Sequence, residues 1–119
     1  MNKILLAEDD DSMRRFLEKA LINAGYDVAS FANGREAYER LCEEPFHMLL
    51  TDIVMPEMDG IELARRAAEI DPDIKVMFIT GFAAVALNPD SDAPRNAKVL
   101  SKPFHLRDLV AQVERMLAA

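Results

Sequence analysis

Short apolar segments alternate along the chain with longer stretches whose apolar residues recur at helical spacing. Five short segments, the first apolar throughout and the third nearly so, predict β-strands at 4–7, 26–31, 47–51, 74–80 and 98–101. The stretches between them carry apolar side chains on one face, which is typical of amphipathic helices. This pattern predicts a regular alternation of strands and helices from one end of the chain to the other.

Capping residues sharpen the helix boundaries. Ser12 is placed to cap a first helix that Gly25 ends, and Asn33 is placed to cap a second helix that runs through Leu41. Two further helices are predicted over 61–70 and 105–117.

The segment between the fourth and fifth strands departs from the regular pattern. Residues 83–87 suit a helix, but Pro89 and Pro94 cannot continue one, because proline in a helix interior costs about 3 kcal/mol. We therefore expect a short or broken fourth helix, followed by an irregular loop.

Strands that are apolar throughout and alternate with helices predict an α/β protein whose parallel sheet is covered on both faces. Five such units in 119 residues suit a flavodoxin-like, doubly wound five-stranded sheet of order 2-1-3-4-5. The length favours a single domain over residues 1–119.

Charge, hydropathy and cysteine content argue against several classes of function. A formal net charge of −7 argues against nucleic acid as a partner, since both would be negatively charged. No apolar run approaches the length of a membrane span. The lone Cys42, expected to be a small apolar filler on a helix, cannot form an internal disulfide. We therefore expect a cytoplasmic protein without membrane contact.

Polar residues gather where the predicted strands end. In a doubly wound sheet, sites form beyond the carboxyl ends of the strands, and that rule selects Glu8, Asp9, Asp52, Thr80 and Lys102. Several carboxylates in one cleft repel each other unless a cation lies among them, and oxygen ligands of this kind suit Mg²⁺. Taken singly, acidic residues at strand ends are common in turns and helix caps.

The motifs around these residues resemble those of the receiver domain of response regulators. The resemblance covers the whole chain and rests on four segments of the sequence: ILLAEDD at 4–10, LTDIVMPEMDG at 50–60, ITG at 79–81 and LSKPF at 100–104.

The resemblance implies a role for each site residue. Asp52 would accept a phosphoryl group from a His-phosphorylated donor, Thr80 would hydrogen-bond that group and Lys102 would pair with it. The Lys102–Pro103 peptide bond would be cis. The chain would catalyse only its own phosphorylation and dephosphorylation.

The resemblance also implies a set of Mg²⁺ ligands. Asp9 and Asp52 would bind the ion directly, Glu8 would act through water, and the main-chain carbonyl of Val54 would be a further ligand. Asp10 and Asp11 would serve only as charges at the start of the first helix.

One of the positions that differ from the family pattern is a switch residue. Val99 occupies a position where the family often has an aromatic switch residue, so we do not expect a coupled movement of a threonine and an aromatic side chain. Val54 and Phe82 lie where receivers tune hydrolysis of the phosphoryl group, and both are apolar. We therefore expect a long-lived aspartyl phosphate.

Partners follow from the resemblance as well. A histidine kinase or a histidine phosphotransfer protein would supply the phosphoryl group. No output domain follows in this sequence, so the output would be contact with another protein. Segment 4–10 and the broken fourth helix resemble stand-alone receivers that adapt substrates to the ClpXP protease, which implies ClpX as a partner.

Other functions remain open. One is a phosphate-relay intermediate. Another is a small phosphatase with an aspartate nucleophile, although Val54 replaces the second aspartate that such enzymes carry. A flavin- or nucleotide-binding domain would need a glycine-rich loop, whereas this chain has four glycines, none of them clustered.

Overall fold

A computed structural model describes residues 2–81, 94 and 96–118 of the chain. This part of the chain contains the strands β1 (Lys3–Ala7), β2 (Asp27–Phe31), β3 (Met48–Thr51), β4 (Lys75–Thr80) and β5 (Lys98–Ser101). It also contains the helices α1 (Asp11–Asn23), α2 (Gly34–Glu43), α3 (Gly60–Ile70) and α4 (Leu106–Ala118). The five predicted strands and the four helices predicted outside 82–94 therefore form, with boundaries shifted by a few residues.

All five strands are parallel and lie in one sheet of order β2-β1-β3-β4-β5. The predicted flavodoxin-like, doubly wound α/β fold is confirmed. The chain runs outward from β1 to β2 and then crosses back to place β3 on the other side of β1. The direction of winding reverses between β1 and β3, which is where doubly wound proteins place their sites.

The sheet is buried on both faces. In β1, Leu5 and Ala7 point into one hydrophobic cluster, which includes residues of α2 and α3. Ile4 and Leu6 point into a second cluster, which includes residues of α1 and α4. Side chains alternate between the faces of a strand, so a strand buried on both sides is apolar throughout.

The predicted cap of α1 is wrong by two residues. Asp10, in extended conformation, is the N-cap, and its side chain accepts a hydrogen bond from the main-chain N–H of Met13 at 2.8 Å. Ser12 lies inside the first turn. Aspartate caps as well as serine does, and Asp10 lies three residues before Met13, the spacing that this cap hydrogen bond needs.

The other two predicted helix signals are confirmed. Asn33 is the N-cap of α2 and accepts the N–H of Glu36 at 2.8 Å. Gly25 follows α1 with φ of 100°, a left-handed conformation that favours glycine.

Cys42 lies on a helix, α2, as predicted, but it is exposed and so does not act as an apolar filler. The short or broken fourth helix is predicted within 82–94, and Phe82 belongs to the same segment. Apart from Pro94, this segment lies outside the described residues.

Among the residues that the structure describes, no helix is long and apolar enough to cross a membrane.

Candidate functional site

Three polar residues continue directly from the carboxyl ends of β1, β3 and β5. Each donates its main-chain N–H to the last carbonyl of the adjacent strand at 3.0 Å: Glu8 to Phe31, Asp52 to Ala7 and Lys102 to Thr80. These hydrogen bonds extend the sheet by one residue and fix where each side chain begins. The structure therefore brings the side chains of Glu8, Asp52 and Lys102 to one edge of the sheet.

The Lys102 ammonium lies between two carboxylates. Its Nζ donates to Oδ2 of Asp52 at 3.0 Å and to Oε1 of Glu8 at 3.3 Å. The other oxygen of Asp52, Oδ1, accepts the main-chain N–H of Ile53 at 2.7 Å. The side chain of Asp52 is 12% exposed. The carboxylate is thus held at both oxygens and still reachable from solvent.

Glu8 is the buried member of this group, with 1% of its surface exposed. Burial raises the pKa of Glu8 to about 7, and the Asp52 charge adds to the rise. The main-chain N–H of Asp10 and the Lys102 ammonium act in the opposite direction. A carboxyl group in such surroundings holds its proton near neutral pH when no other cation is present.

Burial disfavours the charged form of Lys102, but its partners outweigh that effect. The hydrogen bond to Asp52 and the charges of Glu8 and Asp52 raise the pKa of Lys102 above its ordinary value. Lys102 therefore remains an ammonium over the whole physiological range.

A divalent cation fits the charges of this edge. Glu8, Asp9 and Asp52 each offer a carboxylate oxygen, and these oxygens lie within 4.8 Å of one another. Three carboxylates against one ammonium leave two negative charges uncompensated when all are ionised. All the donors are hard oxygen ligands, which Mg²⁺ prefers to nitrogen or sulfur. Glu8, Asp9 and Asp52 thus suit Mg²⁺ in both charge and ligand type.

The structure places the remaining predicted residues around this group. Thr80 is fully buried at the end of β4, where its carbonyl accepts the N–H of Lys102. Val54 lies two residues after Asp52, and its side chain is 57% exposed. Val99 is partly buried against a hydrophobic cluster. The Lys102–Pro103 peptide bond is cis, as predicted.

The start of α3 packs directly against Asp52. A Cβ on Gly60 would lie 1.9 Å from the Asp52 carbonyl oxygen, so no larger residue fits without moving the backbone. The loop between Asp52 and α3 is closed by the Gly60 N–H, which donates to the Ile53 carbonyl at 2.7 Å. The close approach of Gly60 to Asp52 therefore explains why segment 50–60 ends in glycine.

The chain belongs to the response regulator receiver domain family, whose model matches residues 4–114. The family resemblance that the sequence motifs indicate is confirmed.

Individual relatives agree with this assignment. The chain is 79% identical over 119 residues to the response regulator receiver protein CpdR of Brucella abortus (strain 2308), and the match covers 100% of this chain and 99% of that protein. It is 39% identical over 117 residues to the sensor kinase CckA of the same organism, covering 96% of this chain and 12% of the kinase.

A solved structure agrees as well. The crystal structure of a response regulator receiver protein from Sinorhizobium medicae WSM419 has a TM-score of 0.90 and 33% identity, covering 99% of this chain and 95% of that chain.

One contact near Asp52 was not predicted from the sequence. Arg35 on α2 forms an ion pair with Glu57, which lies in the loop after Asp52. The two residues are 22 positions apart, and no motif or spacing links them.

The raised pKa of Glu8 predicts a pH dependence of stability in the metal-free protein. Between about 4.5 and about 7 the folded state holds the proton that the unfolded state releases, so stability should fall as pH rises. One such group contributes up to about 1.4 kcal/mol per pH unit. Urea unfolding with a chelator should show that this contribution disappears in Glu8→Gln.

The exposed Glu43 on α2 provides the matched control. Glu43→Gln should keep the pH dependence of the wild type. If Glu8→Gln and wild type differed by the same free energy at every pH, the titration of Glu8 near neutrality would be refuted.

Proposed function

We propose that this chain is a phosphorylation-controlled switch of a two-component pathway, and that Asp52 accepts the phosphoryl group. The observation that carries the proposal is the contact of the Lys102 ammonium with Asp52 and Glu8 beside Asp9, at the switch point of the sheet. A reachable carboxylate nucleophile next to a fixed cation suits phosphoryl transfer, where positioning and charge neutralisation dominate.

The transfer is a displacement at phosphorus. An oxygen of the Asp52 carboxylate forms a bond to the phosphorus of a phosphohistidine while the P–N bond breaks. The electron pair of that bond stays on the imidazole nitrogen of the donor. Lys102, already 3.0 Å from Oδ2 of Asp52, offsets the negative charge on the phosphoryl oxygens.

Mg²⁺ is the cofactor that we assign to this site. Asp9 and Asp52 would hold it directly, Glu8 through water, and the main-chain carbonyl of Val54 would complete the protein ligands. When bound, Mg²⁺ supplies positive charge that neutralises both the carboxylates and the incoming phosphoryl oxygens.

Thr80 and Lys102 would convert phosphorylation into a change of shape. The Thr80 hydroxyl would turn towards the phosphoryl group, and Lys102 would pair with it. Val99 has no ring to rotate, so the movement would be transmitted without an aromatic side chain at that position. The main-chain hydrogen bond from Lys102 to Thr80 links the two residues that respond.

The output would be binding of another protein in the cytoplasm. CpdR-type receivers, which the sequence resembles, adapt substrates to the ClpXP protease, and the 79% identity to CpdR of Brucella abortus supports the same output here. ClpX is therefore the partner that we propose. A histidine kinase or a histidine phosphotransfer protein would be the donor.

The acceptor is tested by intact-mass analysis. With Mg²⁺ and a small phosphodonor or a His-phosphorylated protein, the wild type should gain one phosphoryl group, and Asp52→Asn should gain none. Asp59→Asn is the matched control, because it changes a carboxylate in the same loop and asparagine still caps α3. Asp59→Asn should gain one group, whereas undiminished labelling of Asp52→Asn would refute the assignment.

The output is tested by capture of purified ClpX on the immobilised chain. In CpdR-type receivers the unphosphorylated form is the active one, so untreated protein should bind ClpX and beryllofluoride-treated protein should bind it less. Asp52→Ala should bind ClpX with or without beryllofluoride. Absence of ClpX binding in every state would refute the adaptor role and leave a phosphate relay as the function.

A further inference from the structure

The segment 53–59, here named the acceptor loop, connects Asp52 to α3. Its closing hydrogen bond runs from the Gly60 N–H to the Ile53 carbonyl at 2.7 Å, and the Met58 N–H donates to the Pro56 carbonyl at 2.8 Å. The loop includes Val54, whose carbonyl the proposed function assigns to Mg²⁺. Its conformation therefore decides where one ligand lies.

The start of α2 contacts the acceptor loop at two successive residues. A Cβ on Gly34 would lie 2.1 Å from the carbonyl oxygen of Met58, so the backbones of α2 and the loop touch. Arg35 then donates through Nε to Oε1 of Glu57 at 3.0 Å. The same guanidinium also donates through Nη1 to Oε1 of Glu39, one turn further along α2, at 3.1 Å.

Glu57 adopts a backbone conformation that glycine favours. Its φ is 68°, and among the described residues no other non-glycine residue has a positive φ. A residue with a Cβ keeps such a conformation only where its surroundings hold it. The ion pair with Arg35 and the close approach of Gly34 to Met58 are two contacts that can hold it, in addition to the loop's own main-chain hydrogen bonds.

We propose that Arg35 is a positioning residue for the metal site. Through Glu57 it holds the acceptor loop, and through the loop it fixes the Val54 carbonyl relative to Asp52. The inference deepens the proposed function and rests on it.

The sign of the effect separates positioning from simple electrostatics. Arg35→Ala removes a positive charge, and by charge alone that should tighten binding of a cation. Loss of positioning should instead weaken Mg²⁺ binding. Arg35 and Glu57 are each about half exposed, with side-chain exposures of 50% and 49%. Pairs of this kind have modest energies, so the expected weakening is roughly 2- to 5-fold.

The test is a calorimetric Mg²⁺ titration of the whole chain. Arg35→Ala should raise the dissociation constant, and Arg35→Lys, which keeps the charge and a donor, should retain most of the affinity. The exchanged pair Arg35→Glu with Glu57→Arg should bind Mg²⁺ better than Arg35→Glu alone. Unchanged or tighter binding by Arg35→Ala would overturn the inference.

Glu39→Gln is the matched control, since it removes the other partner of Arg35 and leaves the loop contact in place. Its dissociation constant for Mg²⁺ should lie within twofold of the wild-type value, because the pair of Arg35 with Glu57 is kept. A loss in Glu39→Gln equal to that in Arg35→Ala would mean that α2 itself, and not the loop contact, is responsible, which overturns the inference.

A second measurement needs no metal. Amide hydrogen exchange of Gly60, whose N–H closes the acceptor loop, should be faster in metal-free Arg35→Ala than in wild type, with core strand amides unchanged. Equal exchange at Gly60 would overturn the inference. Absence of Mg²⁺ binding by the wild type would instead refute the proposed metal site, and exchange would still decide whether Arg35 holds the loop.

Discussion

The contact of one lysine ammonium with two carboxylates determines how the site is built. Lys102 reaches Asp52 and Glu8 from the end of β5, where the hydrogen bond from its main-chain N–H to the Thr80 carbonyl fixes the start of its side chain. Without that cation, Glu8 and Asp52 would repel each other in a buried setting. The single ammonium does not neutralise all the carboxylates, however, since an oxygen of Asp9 also lies within 4.8 Å of oxygens of Glu8 and Asp52. The remaining negative charge suits the edge to a divalent cation such as Mg²⁺.

The sheet and the positions of the site residues could be predicted because each has a local signal in the sequence. A parallel strand buried on both faces must be apolar throughout, so runs such as 4–7 and 47–51 stand out. The residue that follows each run then lies at the carboxyl edge whatever the details of packing. Glu8, Asp52 and Lys102 are found there for that reason. The roles proposed for these residues rest on the resemblance to receivers. The match of the family model supports the assignment to that family.

Features that depend on contacts between distant segments could not be predicted. The ion pair of Arg35 with Glu57 joins α2 to the acceptor loop. No motif or regular spacing in the sequence links these two residues. The N-cap of α1 has two good candidates in the sequence, Asp10 and Ser12, and only the path of the backbone selects Asp10. Cys42 was expected to be a small apolar filler on a helix because of its residue type, but its position on α2 is exposed.

The role of Asp52 as phosphoryl acceptor can be tested by a crystal structure of the protein with Mg²⁺ and beryllofluoride, because beryllofluoride imitates a phosphoryl group on a carboxylate. We expect one adduct, bonded to an oxygen of Asp52, with the Lys102 ammonium in contact with a fluoride. We also expect one metal ion held by the carboxylates of Asp9 and Asp52. An adduct on another carboxylate, or an unmodified Asp52 still paired with Lys102 at saturating beryllofluoride, would contradict this role.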